Sequence, residues 1–472
     1  MERQKEMVYQ LDLFSEQAEE TISLGTKVRN VKEEPESQGL QVTGASEQGR
    51  ALTRDKLMQH VCSSANIVKA YNQVKRNKGC PGIDKQDVES FRVWYTQHGE
   101  SLRQELLTGK YTPSAVKEVK ISKPDGGIRL LGIPTIKDRV IQQAIYQVLN
   151  PIFEKDFSDN SYGFRKGRNA HQALKKSKEY VQSGYNIVVD IDLEKFFDRV
   201  NHDRLMHRLS LEIGDKVLMK LIRKYLQSGI IKGGLESQRI SGTPQGSPLS
   251  PLLSNIVLDE LDKELESRGH KFCRYADDCN IYVRSQRAGE RVMQSISDFI
   301  EKRLKLQINR SKSKVATSKE TKFLGYRLYT GGIMTIHPKS IKRLKDKVRQ
   351  ITKRNRGVSF STVIDELNRV LRGWFQYYKI SEWRADFRSL DEWIRRKLRC
   401  YRLKQCQRKH AIKLFLCSLG AKESSAWNVA MFKQGWWQMS KSATVGKAMN
   451  IHWFHELGLF CLASNFDVVH KL

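Results

Sequence analysis

Apolar residues at Leu57, Val61, Ile67, Val68 and Tyr71 predict a helix from Lys56 to Tyr71, closed by the turn-rich run Asn77-Lys78-Gly79-Cys80-Pro81-Gly82. A second helical pattern covers Val88 to Leu107. Val116 to Leu131 reads as two strands joined at Pro124-Asp125-Gly126-Gly127, and Lys137 to Leu149 returns to helical spacing. The β-branched run Ile187-Val188-Val189-Asp190-Ile191-Asp192 predicts a strand, followed by a helix from Asp198 to Leu209. Ser247-Pro248 has the form of a helix cap, after which Leu249, Leu252, Leu253, Ile256, Val257 and Leu261 follow at helical spacing. Phe272-Cys273 and Ile281-Tyr282-Val283 then flank the polar string Tyr275-Ala276-Asp277-Asp278, which predicts a tight hairpin. Strand, helix, helix, hairpin is the order that an α+β sheet backed by two helices needs.

Beyond His337 the pattern is helical and basic. Between Lys339 and Arg356 nine Lys/Arg face one acid, while Ile341, Leu344, Val348 and Ile351 line one face. A solvated face is the plain reading of such a run. Aromatic residues follow at Trp374, Phe375, Tyr377, Tyr378, Trp383, Phe387 and Trp393, so a nucleic-acid-gripping bundle gains weight, with Lys342, Arg343, Lys345 and Arg349 as its contacts.

Charge sharpens that picture. The 472 residues carry 83 Lys/Arg against 52 acids, a net charge of +31, which points to a polyanion partner. Residues 1–50 hold 6 basic and 10 acidic residues, so the acidic tail is expected to be unstructured and to avoid nucleic acid. No run of 18 apolar residues and no signal-peptide pattern occurs, and the expectation is a soluble, intracellular chain without a membrane partner. The eight cysteines include no Cys-x-x-Cys pair; Cys400, Cys406, His410 and Cys417 cluster without a zinc spacing and are read as packing residues.

The candidate chemistry lies in three aspartates. A strand alternates its side chains between faces, so Asp277 and Asp278 converge on one ion only where the strand turns. Two-metal nucleotidyl transfer needs a further carboxylate on a neighbouring strand; Asp192, at a strand end, is the choice, and Asp190 on the same face is the rival. Asp198 reads as a surface group, and the Leu193 carbonyl is a further ligand. An all-oxygen ligand set means magnesium. Phe197 is placed where a ring could lie under the sugar of an incoming nucleotide and exclude a 2′-hydroxyl, though a core aromatic beside Phe196 is an equal reading.

Asp192-Leu193-Glu194-Lys195-Phe196-Phe197-Asp198, then Gly242-Thr243-Pro244-Gln245-Gly246-Ser247-Pro248-Leu249-Ser250, then Tyr275-Ala276-Asp277-Asp278 closely resemble the blocks of group II intron-encoded reverse transcriptases, or maturases. The resemblance extends to Lys123–Arg129, Ser161–Arg168, Ile308–Lys312, Phe323–Tyr326 and Leu371–Phe375. It implies a right-hand polymerase of α+β class after the acidic tail at 1–52, which lies outside the family's pattern: an N-terminal extension and fingers at 53–186, a palm at 187–336, a helical thumb at 337–400 and a C-terminal extension at 401–472. Asn77 to Lys85 resembles a lid over the template.

The resemblance also implies roles. Asp192, Asp277 and Asp278 would hold two Mg²⁺, Lys123 and Arg129 the triphosphate, and Gln245 and Gly246 the floor of the nucleotide pocket. Lys312 would protonate pyrophosphate, and Arg165 and Arg168 would hold template phosphates. The implied substrates and partners are dNTPs, a DNA primer on an RNA template, structured intron RNA and target DNA, in a bacterial cytoplasm and at the nucleoid during retrohoming. No His/Cys arrangement of an H-N-H endonuclease module is seen, so second-strand cleavage is not expected. A splicing chaperone with a silent polymerase site, and a host-recruited enzyme of DNA repair or CRISPR adaptation, stand as alternatives.

Overall fold

The computed structural model describes residues 54–122, 127–232, 235–237, 242–243 and 246–471. The acidic tail, Lys123 and Gln245 lie outside the described residues, as does the side chain of Arg129. The chain divides after Thr317 into two compact units.

The first unit begins with α1 (Leu57–Val61), α2 (Ser64–Arg76) and α3 (Val88–Leu107). The single helix expected from 56 to 71 is therefore broken at Cys62-Ser63, and Val68, counted on its apolar face, is 56% exposed. Strands β1 (Val116–Ser122) and β2 (Ile128–Ile133) pair antiparallel with Ser122 opposite Ile128, as the Pro-Asp-Gly-Gly turn predicted. Helix α4 (Ile136–Phe153) is capped by Thr135, whose hydroxyl accepts from the Asp138 amide. It is followed by α5 (Ala170–Gln182), β3 (Ile187–Ile191), α6 (Phe196–Arg199), α7 (His202–Ser210) and α8 (Lys216–Gln227). The helix expected from 198 to 209 is thus two helices, with Lys195 in the left-handed region at the first one's start.

Short strands β4 (Ile230–Lys232) and β5 (Leu235–Ser237) complete a sheet of order β2-β1-β4-β5. Helix α9 (Ser250–Ser267) starts three residues later than Ser247-Pro248 suggested. The second Ser-Pro pair, Ser250-Pro251, opens the helix, and the Ser247 hydroxyl is turned to Gln142 instead. Then come β6 (Lys271–Tyr275), β7 (Asp278–Val283), α10 (Gln286–Phe299), a π-helical turn at Ile300–Leu304 and β8 (Lys314–Thr317).

The central sheet has the order β6-β7-β3-β8, with each neighbouring pair antiparallel. Alternation puts Arg274, Cys279, Ile281, Val283 and Ile187 on one face and Cys273, Asn280, Tyr282 and Asp190 on the other. Helices α9 and α10 back the first face: Asp262 of α9 meets Arg274, and a Cβ at Gly289 of α10 would collide with Val315 and touch Ile187 and Val283. Helix α5 covers part of the second, with Tyr180 5.5 Å from Tyr282 between ring centres. Leu252, Leu253, Ile256, Phe272, Ile281 and Ile296 are at most 2% exposed in the core beneath. Each side chain of this size stabilises the fold by about 1.5–3 kcal/mol through burial.

The second unit opens with β9 (Tyr326–Leu328) and β10 (Met334–Ile336), followed by α11 (Pro338–Ile351), α12 (Phe360–Tyr378) and α13 (Arg384–Cys406). Six shorter helices between Lys409 and His470 follow. The β9–β10 hairpin, assigned from the sequence to the palm, packs with these helices: the Tyr326 hydroxyl donates to the Tyr377 carbonyl, the Tyr377 hydroxyl to Leu324, and Ser340 to Gly325. A core of Leu344, Val348, Leu367, Leu371, Phe387, Leu398 and Phe466 holds the unit together. The Asp391 carboxylate accepts from the Leu462 and Ala463 amides, which fastens the last helix to α13. No described helix is long and apolar enough to cross a membrane.

Candidate active site

Tyr275 pairs with Asp278, so β6 and β7 are joined by the two-residue turn Ala276-Asp277. Ala276 takes a left-handed φ of 57°, the conformation that tight hairpins need at a central position. At the tip of the hairpin Asp277 and Asp278 are half-buried and Ala276 is buried. The reason is Gly163, whose backbone lies on the turn: a Cβ there would stand 2.2 Å from the Ala276 nitrogen.

The β3–β7 register ends with Ile191 opposite Cys279; Asp192 directly follows β3, and Asp278 opens β7. Asp192 is held by the segment after the π-helical turn: its amide donates to Ser313 Oγ at 2.9 Å, and its carbonyl accepts from the Asn309 amide at 2.8 Å. Leu193 bridges Ile308, yet the bonds of that bridge run Glu194 to Gln307 and Asn309 to Asp192 and do not use the Leu193 carbonyl. Lys312 Nζ lies 3.8 Å from Asp192 Oδ2, with the two side chains 55% and 38% exposed. Asp190, the rival, sits within the sheet between Asn280 and Lys314. Asp198 is exposed, as expected.

Oxygen donors just past β3, in the β6–β7 turn and at the start of β7, with a backbone carbonyl alongside, fit a hard divalent cation. Among the described residues, however, no three His, Cys, Asp or Glu side chains are gathered tightly enough to hold a metal ion.

Phe197 is half-buried and edge-on to the buried Phe196, with ring centres 5.2 Å apart, and the Thr243 amide donates to its carbonyl at 2.6 Å. It therefore has both a core side and an open side. Gly246, with φ 102°, comes so close to β2 that a Cβ would be 3.1 Å from the Gly132 carbonyl. The backbone there passes where a side chain would not fit.

Arg165 is a correction. It is 3% exposed, its Nε donates to Glu154 at 2.8 Å, and its other nitrogens donate to the carbonyls of Ser158, Ser161 and Glu154. Its donors are spent on folding the loop, not on a template. Arg168 is partly exposed and donates to the Asp159 carboxylate at 2.6 Å, which holds that carboxyl below its ordinary range. On α11, Lys342, Arg343 and Arg349 are exposed and Lys345 is half-buried. Lys345, Arg349 and Lys397 all approach the Trp393 ring, at 5.7, 5.5 and 5.6 Å from its centre. Burial, followed by the neighbouring cations Arg349, Arg354 and Arg396, lowers the Lys397 pKa.

Sequence reasoning missed Arg274. It is a charge inside the apolar run of β6, and Asp262 lies among Leu258, Leu261 and Leu265 of α9. Opposite charges on two facing apolar surfaces were the available signal.

Residues 121–328 match the family described as reverse transcriptase (RNA-dependent DNA polymerase), and residues 341–415 match the group II intron, maturase-specific domain. Among similar proteins, Protein YkfC of Escherichia coli (strain K12) is 31% identical over 319 residues, covering 59% of this chain and 84% of that protein. The group II intron-encoded protein LtrA of Lactococcus lactis subsp. cremoris is 37% identical over 208 residues, covering 43% of this chain. The chain spans only 34% of LtrA. A solved structure titled "Partial Cas6-RT-Cas1--Cas2 complex" overlaps 52% of this chain and 42% of its own, at 26% identity and a TM-score of 0.34.

Proposed function

The chain belongs to the group II intron reverse transcriptases and maturases, and from that premise we propose that it extends a DNA primer with dNTPs on an RNA template at Asp192, Asp277 and Asp278, and binds intron RNA to assist splicing. The observation that supports this reading is that Asp192 directly follows Ile191, whose partner Cys279 directly follows Asp278, with Asp277 in the turn just before. Two Mg²⁺ held by these carboxylates and the Leu193 carbonyl would activate the primer 3′ oxygen and neutralise charge on the triphosphate. The protein's own part is positional. Strand ends fix the carboxylates, Ser313 and Asn309 hold the backbone of Asp192, and Lys312 stands ready beside it to give a proton to departing pyrophosphate.

Lys123 and Arg129 would grip the triphosphate, with Gln245 and Gly246 under the base and Phe197 under the sugar. The exposed cations of α11, Lys342, Arg343 and Arg349, would track phosphates, with Lys345 beside them over Trp393, in keeping with the net charge of +31. Target DNA, retrohoming and a bacterial cytoplasmic setting belong to the same proposal. The test is cDNA synthesis by the purified chain on a primed RNA template, run beside splicing of intron RNA at low magnesium. Both activities are expected; splicing help without cDNA would make the chain a splicing chaperone.

A further inference from the structure

We infer that Arg274 is a positioning residue: it ties the catalytic turn to helix α9 and to the loop at Ser161, and so sets where Asp277 and Asp278 stand. The inference rests on the polymerase reading for its functional meaning, while the contacts themselves do not depend on it. Arg274 is 0% exposed. Its Nε donates to Asp262 Oδ1 at 2.7 Å and its Nη2 to the other oxygen of the same carboxylate, a bidentate pair. Nη1 donates to Asn255 Oδ1 at 3.1 Å and to the Ala276 carbonyl at 2.8 Å, and Nη2 also reaches Ser161 Oγ at 2.7 Å. Every one of the guanidinium's N–H donors has an acceptor. Burial works against the charge, but the Asp262 carboxylate outweighs it, and the Arg274 pKa is raised.

A second set of contacts converges on the same turn. The Arg274 amide donates to the Asn160 carbonyl and the Tyr162 amide to the Arg274 carbonyl, both at 2.9 Å, so residues 160–162 run beside β6 as a parallel edge. That edge delivers Gly163 onto Ala276, and Asn255 Nδ2 holds the Gly163 carbonyl at 2.9 Å. Asn255 therefore touches both the guanidinium and the segment that covers the turn.

Stability alone does not explain an ion pair here. Well-packed apolar side chains do as well as a buried pair or better, because both charges must be stripped of water. What the guanidinium adds is direction: a rigid planar fork fixes the Ala276 carbonyl relative to α9 and Ser161, as neither an alkyl chain nor a lysine can.

The test uses the full chain with Ser161→Ala and Asn255→Ala, which leave the charge pair intact, and Arg274→Lys, which loses the fork. Amide hydrogen exchange across residues 275–278 is measured together with kcat, dNTP KM and Tm. Turn exchange is expected to rise about fivefold in Ser161→Ala, which loses one ordinary hydrogen bond, and further in Asn255→Ala, which loses two, with kcat falling by more than the drop in Tm accounts for and dNTP KM holding. Arg274→Lys should exceed both. Unchanged exchange and kcat in a folded Arg274→Lys protein would overturn the inference, as would losses that merely follow Tm. Faster turn exchange in the variants of a chain that makes no cDNA would uphold the inference and defeat the polymerase reading instead.

Discussion

The Lys312 ammonium stands 3.8 Å from the Asp192 carboxylate, on the segment whose Asn309 and Ser313 also hold the Asp192 backbone. On the proposal that Lys312 gives a proton to the leaving pyrophosphate, its removal should be felt in catalysis. Lys312→Ala is predicted to lower kcat about a hundredfold with little change in dNTP KM. Single-turnover extension measures it; a loss of less than about threefold would leave Lys312 only a surface partner of Asp192.

Phe197 is half-buried and edge-on to Phe196, and the proposal places its ring under the sugar of the incoming nucleotide. Phe197→Ala should weaken discrimination against ribonucleotides by about tenfold or more, the scale at which a pocket judges size. Competitive incorporation of dNTP and rNTP reads this directly, and an unchanged ratio would reduce the ring to a core residue.

Arg165 and the cations of α11 should behave in opposite ways. Arg165→Ala strands Glu154 and three backbone carbonyls, and is predicted to cost about 3 kcal/mol of stability while RNA affinity per folded molecule stays the same. Lys342→Ala with Arg343→Ala should leave Tm alone and make the dependence of log affinity on log salt shallower, by roughly one for each phosphate no longer held. Denaturant titration and RNA binding at several salt concentrations separate the two.

Glu366 accepts two bonds from Arg356, at 2.7 and 2.8 Å, and that contact holds its carboxyl below the ordinary value of 4.5. A carboxyl depressed in the folded state adds stability above its unfolded pKa and loses it as pH falls through the folded one. Glu366→Gln is therefore predicted to cost about 1 kcal/mol at pH 7, with the gap to wild type closing as pH drops below 4.5. Urea unfolding at pH 7 and near pH 4 checks it; a gap that widens in acid would reverse the assignment.

The central hairpin, the strand at Ile187 and the basic helix after His337 were legible because alternation and helical spacing are local signals. The three aspartates were legible as candidate chemistry, while the register that brings the end of β3 beside the start of β7 comes only from the fold. Arg165 was misread because a loop arginine has no sequence mark that tells a phosphate contact from a set of carbonyls nearby. Arg274 was passed over because its partners, Asp262, Asn255 and Ser161, are brought to it by tertiary packing. The palm was drawn to residue 336, and only the contacts of Tyr326 and Tyr377 show that the β9–β10 hairpin packs with the helices of the second unit.

Primer extension by Asp277→Ala, on an RNA template with dNTPs and Mg²⁺, tests the central claim most directly. Extension should vanish while the variant binds RNA as tightly as wild type. Extension at the wild-type rate would contradict the assignment of the turn as the catalytic centre.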